Sequence, residues 1–110
     1  MSISDRYRSL AEDIKAFVAT QKKQLNADSN PAAQQAMRSV SKGYRVIDEL
    51  REGVGEIPRI RLEEDLTPLL MKAYNNLDRG RLDYLEAEDE KSAAAVWELQ
   101  QTIYRLLNDL

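Results

Sequence analysis

"EGVGEIPRIRLEEDLTP", residues 52–68, divides the chain into two halves that each show helical periodicity. The stretch contains two glycines and two prolines, residue types that interrupt helices. It also carries aliphatic side chains at Ile57, Ile60 and Leu62. We therefore expect residues 53–65 to form a long connection that crosses one end of the molecule. The three aliphatic side chains should be at least partly buried, because together on the surface they would form an apolar patch.

Two helices are predicted before this connection, over about residues 4–26 and 31–53. In both, apolar residues recur at steps of three and four, the period of a helix with one apolar stripe. Ser2, or Ser4 just after it, is a candidate N-cap for the first helix, and Asn30 followed by Pro31 is a favourable start for the second. Gly43 lies inside the second helix, where a close approach by another helix would explain its presence.

Two helices are predicted after the connection, over about residues 66–87 and 90–109. The stretch between them, residues 86–92, has no glycine or proline, so the predicted break depends on its charge density and on Asp89 as a possible N-cap. One long bent helix over about 66–108 is the alternative. Gly80 either lies inside the third helix, which we favour, or ends it as a C-cap.

The lengths of the links predict how the helices are arranged. Short links after the first and third helices and a longer one after the second indicate an all-α, antiparallel four-helix bundle with up-down-up-down topology. At 110 residues the chain is long enough for one such domain, over residues 1–110, but not for two.

Composition excludes several classes of function. The net charge of −3 argues against the broad basic face of a nucleic-acid-binding protein. The chain has no cysteine and no histidine, so thiolate chemistry and the commonest general base and transition-metal ligand are absent. No segment is apolar enough to span a membrane, and the N-terminus does not resemble a signal peptide. We expect a cytoplasmic protein without a membrane partner.

No catalytic or cofactor motif is present. The sequence contains no glycine-rich phosphate loop and no recognisable nucleophile–base pair. Gln21 is the one clear polar residue within the apolar stripe of the first helix, and such a residue more often specifies helix register or partner choice than catalysis. We therefore expect a protein that is not an enzyme and that needs neither a cofactor nor a small-molecule substrate.

Two alternative binding sites for small ions are suggested by charge. Arg38, Lys42 and Arg45 share one face of the second helix and could hold an anion. Glu52 and Glu56 have a spacing that resembles the metal-binding Glu-x-x-x-Asp motif of PhoU-like helical proteins. That similarity extends only over residues 31–57, so we do not assign the chain to that family on this basis.

The fourth helix has a wider apolar arc than one stripe of a bundle helix requires. At about 100° per residue, the arc covers roughly half of the circumference, whereas one stripe needs only about 100°. Trp97 and Tyr104 lie at one edge of this arc. Either neighbouring helices cover it, or the two aromatic residues form the centre of an interface. A closed two-fold homodimer is the default assembly for such an interface.

The central connection provides a second set of candidate partner-binding residues. It is a packed loop or a short extra helix, or else it is a binding loop, because long ordered loops in small domains often carry function. The candidates are Ile57, Arg59, Ile60 and Arg61. The sequence thus favours a non-catalytic module that binds a protein partner or itself, as an adaptor, a chaperone-like module or an assembly subunit.

Overall fold

The computed structural model describes residues 1–26 and 29–110 and consists of four α-helices. They are α1 (Ile3–Gln24), α2 (Pro31–Asp48), α3 (Arg59–Glu86) and α4 (Glu90–Asn108), and a short 3₁₀ helix lies at Val54–Glu56. The predicted link between the first two helices includes residues 27 and 28, which lie outside the described residues. The prediction of an all-α helical bundle is confirmed.

The helices form a ring in which each contacts two neighbours. Contacts join α1 to α2, α2 to α3, α3 to α4, and α4 back to α1. Neighbours are antiparallel: Arg6 near the start of α1 pairs with Asp109 just after α4, whereas Gln21 near the end of α1 bonds to Ser92 at the start of α4. The apolar stripes meet in one core, whose fully buried large side chains include Tyr7, Leu10, Ile14, Ile47, Leu66, Leu70, Leu77, Ile103 and Leu106.

The caps predicted from the sequence begin three of the helices. The Ser2 side chain accepts a hydrogen bond from the backbone N–H of Asp5, and Asn30 accepts one from that of Ala32. Asp89 caps α4 by accepting from the N–H of Ser92. Helices α3 and α4 are therefore separate, and Glu88 between them has a left-handed φ of 60° that turns the chain.

The structure corrects the predicted start of the third helix. It begins at Arg59 rather than near residue 66, so Pro68 lies well inside the helix rather than close to its start. The reason is that Leu62 continues the apolar spacing of Leu66 and Leu70 by one more turn, and all three are buried. The proline removes one backbone hydrogen bond, at an exposed position where water can serve the free carbonyl.

The predicted end of the second helix is also corrected, because α2 ends at Asp48 rather than near residue 53. The central connection is therefore residues 49–58, shorter and earlier than the expected 53–65. It is held against α1: Val54 is fully buried, Arg8 donates to the Arg51 carbonyl, and the Arg51 guanidinium pairs with Glu12 at 2.8 Å. Because α2 ends early, Val54 belongs to this connection and its side chain packs in the core.

This geometry decides which of Ile57, Ile60 and Leu62 are buried. The prediction is correct for Ile57, which is half-buried, and for Leu62, which is 8% exposed. It is wrong for Ile60, which is 91% exposed. Residues two positions apart on a helix point about 200° apart, so Ile60 must face away from the core once Leu62 faces it.

Two glycines allow α2 and α3 to approach closely. Gly43 in α2 and Gly80 inside α3 are both buried. A Cβ atom on Gly80 would lie 2.6 Å from Val40 Cγ2 and 3.1 Å from the Ala36 carbonyl oxygen. Gly80 is therefore an interior residue, as we favoured, and its lack of a side chain sets the separation of the two helices.

Candidate functional site

The exposed apolar side chains of the protein are concentrated on α3 and α4. Among the described residues, seven large hydrophobic side chains are exposed, and all except Met1 belong to these two helices. We call the surface that they form the α3–α4 face. It consists of Ile60, Met71, Leu82 and Leu85 from α3, with Trp97 and Tyr104 from α4. The exposed positions of α1 and α2 are occupied by charged, polar or small residues.

Helical spacing places these residues in line. Ile60, Met71 and Leu82 are 11 residues apart, which is close to three full turns, and Leu85 follows one turn later. Trp97 and Tyr104 are seven residues apart, about two turns of α4. Each helix therefore carries its exposed apolar residues as one stripe, on the side opposite to or flanking its buried stripe.

Two contacts between α3 and α4 place the two stripes side by side. The Gln100 amide donates to Asp78 Oδ1 at 3.1 Å, and the Arg81 guanidinium carbon lies 5.5 Å from the centre of the Trp97 ring. Trp97 therefore lies on the side of α4 that faces α3. The antiparallel register set by these contacts places Tyr104 at the level of Tyr74 in α3, which is half-buried.

A polar cluster holds the centre of this face in one arrangement. Arg81 donates to Asp78 Oδ1 from both Nε and Nη2, at 3.2 and 2.9 Å. Partial burial opposes ionisation of Asp78, but hydrogen bonds from Arg81 and Gln100 outweigh it and lower the pKa of the carboxyl group. The ionised Asp78 thus fixes Arg81 over Trp97, where a cation–π contact contributes about 0.5–1 kcal/mol at an exposed site.

The candidate residues from the central connection do not form one loop. Ile57 packs against the core, whereas Arg59, Ile60 and Arg61 are exposed in the first turn of α3. Arg61 pairs with Asp65 one turn later at 3.4 Å. A cleft of about 320 Å³ adjoins this turn, and Ile3, Arg59, Ile60, Leu62, Glu63, Asp109 and Leu110 line it. The structure thus assigns Ile60 to the end of the α3–α4 face rather than to a separate binding loop.

The alternative anion site lies elsewhere on the molecule. Arg38, Lys42 and Arg45 are exposed on α2, and Arg38 donates to the side-chain oxygen of Gln35. Lys42 also lines a groove with residues of α3, among them Arg79 and Asp83. No oriented group fixes the three cations around a common point in the described structure, so an anion site there stays a prediction.

The alternative metal site loses its helical geometry. Glu52 lies in the turn after α2 and Glu56 in the 3₁₀ helix, so they are not one turn apart on a continuous helix. Both are exposed. Within residues 1–26 and 29–110, no group of three or more acidic side chains is placed to hold a metal ion.

Gln21 is buried as a member of an interhelical network. Its amide donates to Ser92 Oγ at 3.3 Å, and its side-chain oxygen accepts from the Tyr84 hydroxyl at 3.1 Å. The network connects α1, α4 and α3, which is a structural role of the kind that fixes register. Burial raises the pKa of Tyr84, so its hydroxyl stays protonated as the donor.

Sequence reasoning named Trp97, Tyr104 and Ile60 of this face but missed Met71, Leu82 and Leu85 of α3. The recurrence of Ile60, Met71 and Leu82 at 11-residue steps was a usable signal. Gln100, which is fully buried, was also missed, although it interrupts the apolar stripe of α4. Its amide nitrogen bonds to Asp78, while its Oε1 has no hydrogen-bond partner within the described chain.

Comparison with known proteins does not extend this description. No family model matches the chain, and no curated protein and no solved structure matches it. In the part of the chain that the structure describes, none of the helices has the length and apolar character needed to cross a membrane.

Proposed function

We propose that the protein binds another polypeptide through the α3–α4 face and acts as a non-catalytic interaction module, as an adaptor, a chaperone-like module or an assembly subunit. The observation that supports this proposal is the one-sided distribution of exposed apolar side chains among the described residues. Exposed apolar residues scattered singly are normal on any protein, whereas their concentration on two neighbouring helices favours an interaction site. The proposal includes the cytoplasmic location that we expected from composition.

The composition of the face agrees with what is known of binding hot spots. Trp, Tyr and Arg dominate such sites, and this face contains Trp97, Tyr104 and Arg81. Trp97 is 44% and Tyr104 is 55% exposed, so each has a large apolar surface left to bury. Arg81 is already held by Asp78, so less side-chain entropy is lost on binding.

A site-specific photo-crosslinking experiment tests the proposal. A benzophenone amino acid is placed at Trp97, or at Arg38 on the exposed side of α2 as the matched control. After irradiation in living cells, we expect a polypeptide adduct from position 97 and none from position 38. Adducts from position 38 alone, or from neither position, would contradict the proposal. Thermal melts with phosphate and divalent cations should show no stabilisation, because only a bound ligand raises stability by mass action.

A further inference from the structure

Resting on the proposed function, we propose that the partner on the α3–α4 face is a second copy of this chain. The two copies pair antiparallel about a two-fold axis that passes α3 between residues 72 and 73. In such a closed dimer, residues at equal distances on either side of the axis face each other across the interface. The sequence of the exposed α3 stripe is suited to this arrangement.

This two-fold axis places apolar residues of α3 in one copy opposite apolar residues of α3 in the other. Ile60 and Leu85 are equally distant from the midpoint, and so are Met71 and Tyr74. Ile60, Leu85 and Met71 are exposed and Tyr74 is half-buried in one chain, so each has apolar surface left to cover. Ile60, the most exposed of them at 91%, would then pack against Leu85 of the second copy.

Charges match under the same operation. Glu64 and Arg81 are equally distant from the midpoint and opposite in charge, so Glu64 of one copy would join the pair that Arg81 already forms with Asp78 in the other. Arg61 of one copy would lie within about one turn of Glu86 of the other, and these two side chains again carry opposite charges. A parallel arrangement would instead oppose like charges, which is costly at an interface. The charges therefore select the antiparallel orientation.

The length of α3 suits an antiparallel pair of helices. With 28 residues, α3 is about 42 Å long, close to the 48 Å extent of the whole protein. The register with α4 places Asn108 at the level of residue 70, so the first turns of α3 extend beyond α4. A second copy could therefore lie along the whole length of α3, and α4 would add to the contact only beside residues 70–86.

Sedimentation velocity tests the assembly. Between 1 and 100 µM protein, roughly the range in which moderately tight dimers form, we expect a species of twice the 12.6 kDa chain mass. Ile60→Glu should weaken dimerisation by roughly tenfold or more, as expected for a well-buried interface residue, whereas the control Arg38→Glu should not. A chain that stays monomeric throughout this range would overturn the proposal. If that monomer still gave an adduct at position 97, the proposed function would stand and only the homodimer would fail.

Crosslinking tests the axis. The natural chain has no cysteine, so Ile60→Cys with Leu85→Cys introduces the only two thiols. These positions lie about 37 Å apart on one helix, too far for a link within one chain. A short bis-maleimide should join the doubly substituted chains, and also a mixture of the two single variants, but neither single variant alone. A dimer that is linked by one single variant, or not linked by the double variant, would overturn this axis.

Discussion

Replacing Gly43, Gly53 and Gly80 by alanine, one at a time, should change the free energy of unfolding in three different ways. Gly80→Ala is the informative member. Alanine gains about 1 kcal/mol over glycine inside a helix, but the new Cβ would lie 2.6 Å from Val40 Cγ2 and 3.1 Å from the Ala36 carbonyl oxygen. Because the second atom belongs to backbone, α2 and α3 must move apart, and overpacking of this kind costs about 1–3 kcal/mol. We expect Gly80→Ala to destabilise the protein by about 1–2 kcal/mol.

Gly43→Ala and Gly53→Ala are the matched controls. At Gly43 the nearest atom to a new Cβ is the Ala73 carbonyl oxygen at 3.3 Å, so the gain and the cost should cancel to within about 0.5 kcal/mol. At Gly53 nothing lies within 4 Å and the backbone is already right-handed helical, so alanine should stabilise by about 0.4–1 kcal/mol.

Urea unfolding followed by circular dichroism measures all three variants, with the midpoint compared at constant slope. The expected order of stability is Gly53→Ala, then wild type and Gly43→Ala together, then Gly80→Ala. If Gly80→Ala were as stable as Gly53→Ala, the close approach of α2 and α3 would be wrong, and with it our explanation of both buried glycines.

Three further predictions concern burial and exposure. Ile60→Ala should change the free energy of unfolding of the monomer by less than about 0.5 kcal/mol, whereas Leu66→Ala should lower it by about 2–5 kcal/mol; denaturant melts at low concentration decide this. Burial raises the pKa of Tyr7 above its ordinary value near 10. The stability that the protonated Tyr7 hydroxyl contributes is therefore complete below about pH 10. Above that pH the free energy of unfolding falls, by at most about 1.4 kcal/mol per pH unit. Tyr7→Phe should flatten the alkaline part of a stability-against-pH curve, and an unchanged slope would contradict the buried phenol. Trp97→Ala with Tyr104→Ala should retain the helical circular dichroism spectrum while abolishing association; outright unfolding would show that both rings belong to the core.

Local chemistry is enough to predict the four helices and most of their ends. Apolar residues at steps of three and four can be buried together only on a helix, so the period appears in the sequence itself. Caps act over three residues or fewer, which is why Asn30 and Asp89 could be assigned without a structure.

The start of α3 depends on whether the burial of leucine side chains outweighs the cost of a proline inside the helix. Pro68 inside a helix costs about 3 kcal/mol by propensity. Burial of Leu62 and Leu66 on the same helix offsets this, since each buried leucine contributes about 1.5–3 kcal/mol. Whether a core exists beneath those positions is a property of the packed molecule.

The α3–α4 face likewise depends partly on local sequence and partly on how the helices pack. Sequence alone indicated that Trp97 and Tyr104 lie at the edge of a wide apolar arc, because their angular position on α4 follows from the helix period. Only the packed bundle decides which neighbour lies beside that edge. The contact of Arg81 with Trp97 shows that it is α3, and the early start of α3 turns Ile60 outward onto the same face. The period of a helix can be read from residues close together in the sequence. Which helix packs beside it depends on residues far apart in the chain.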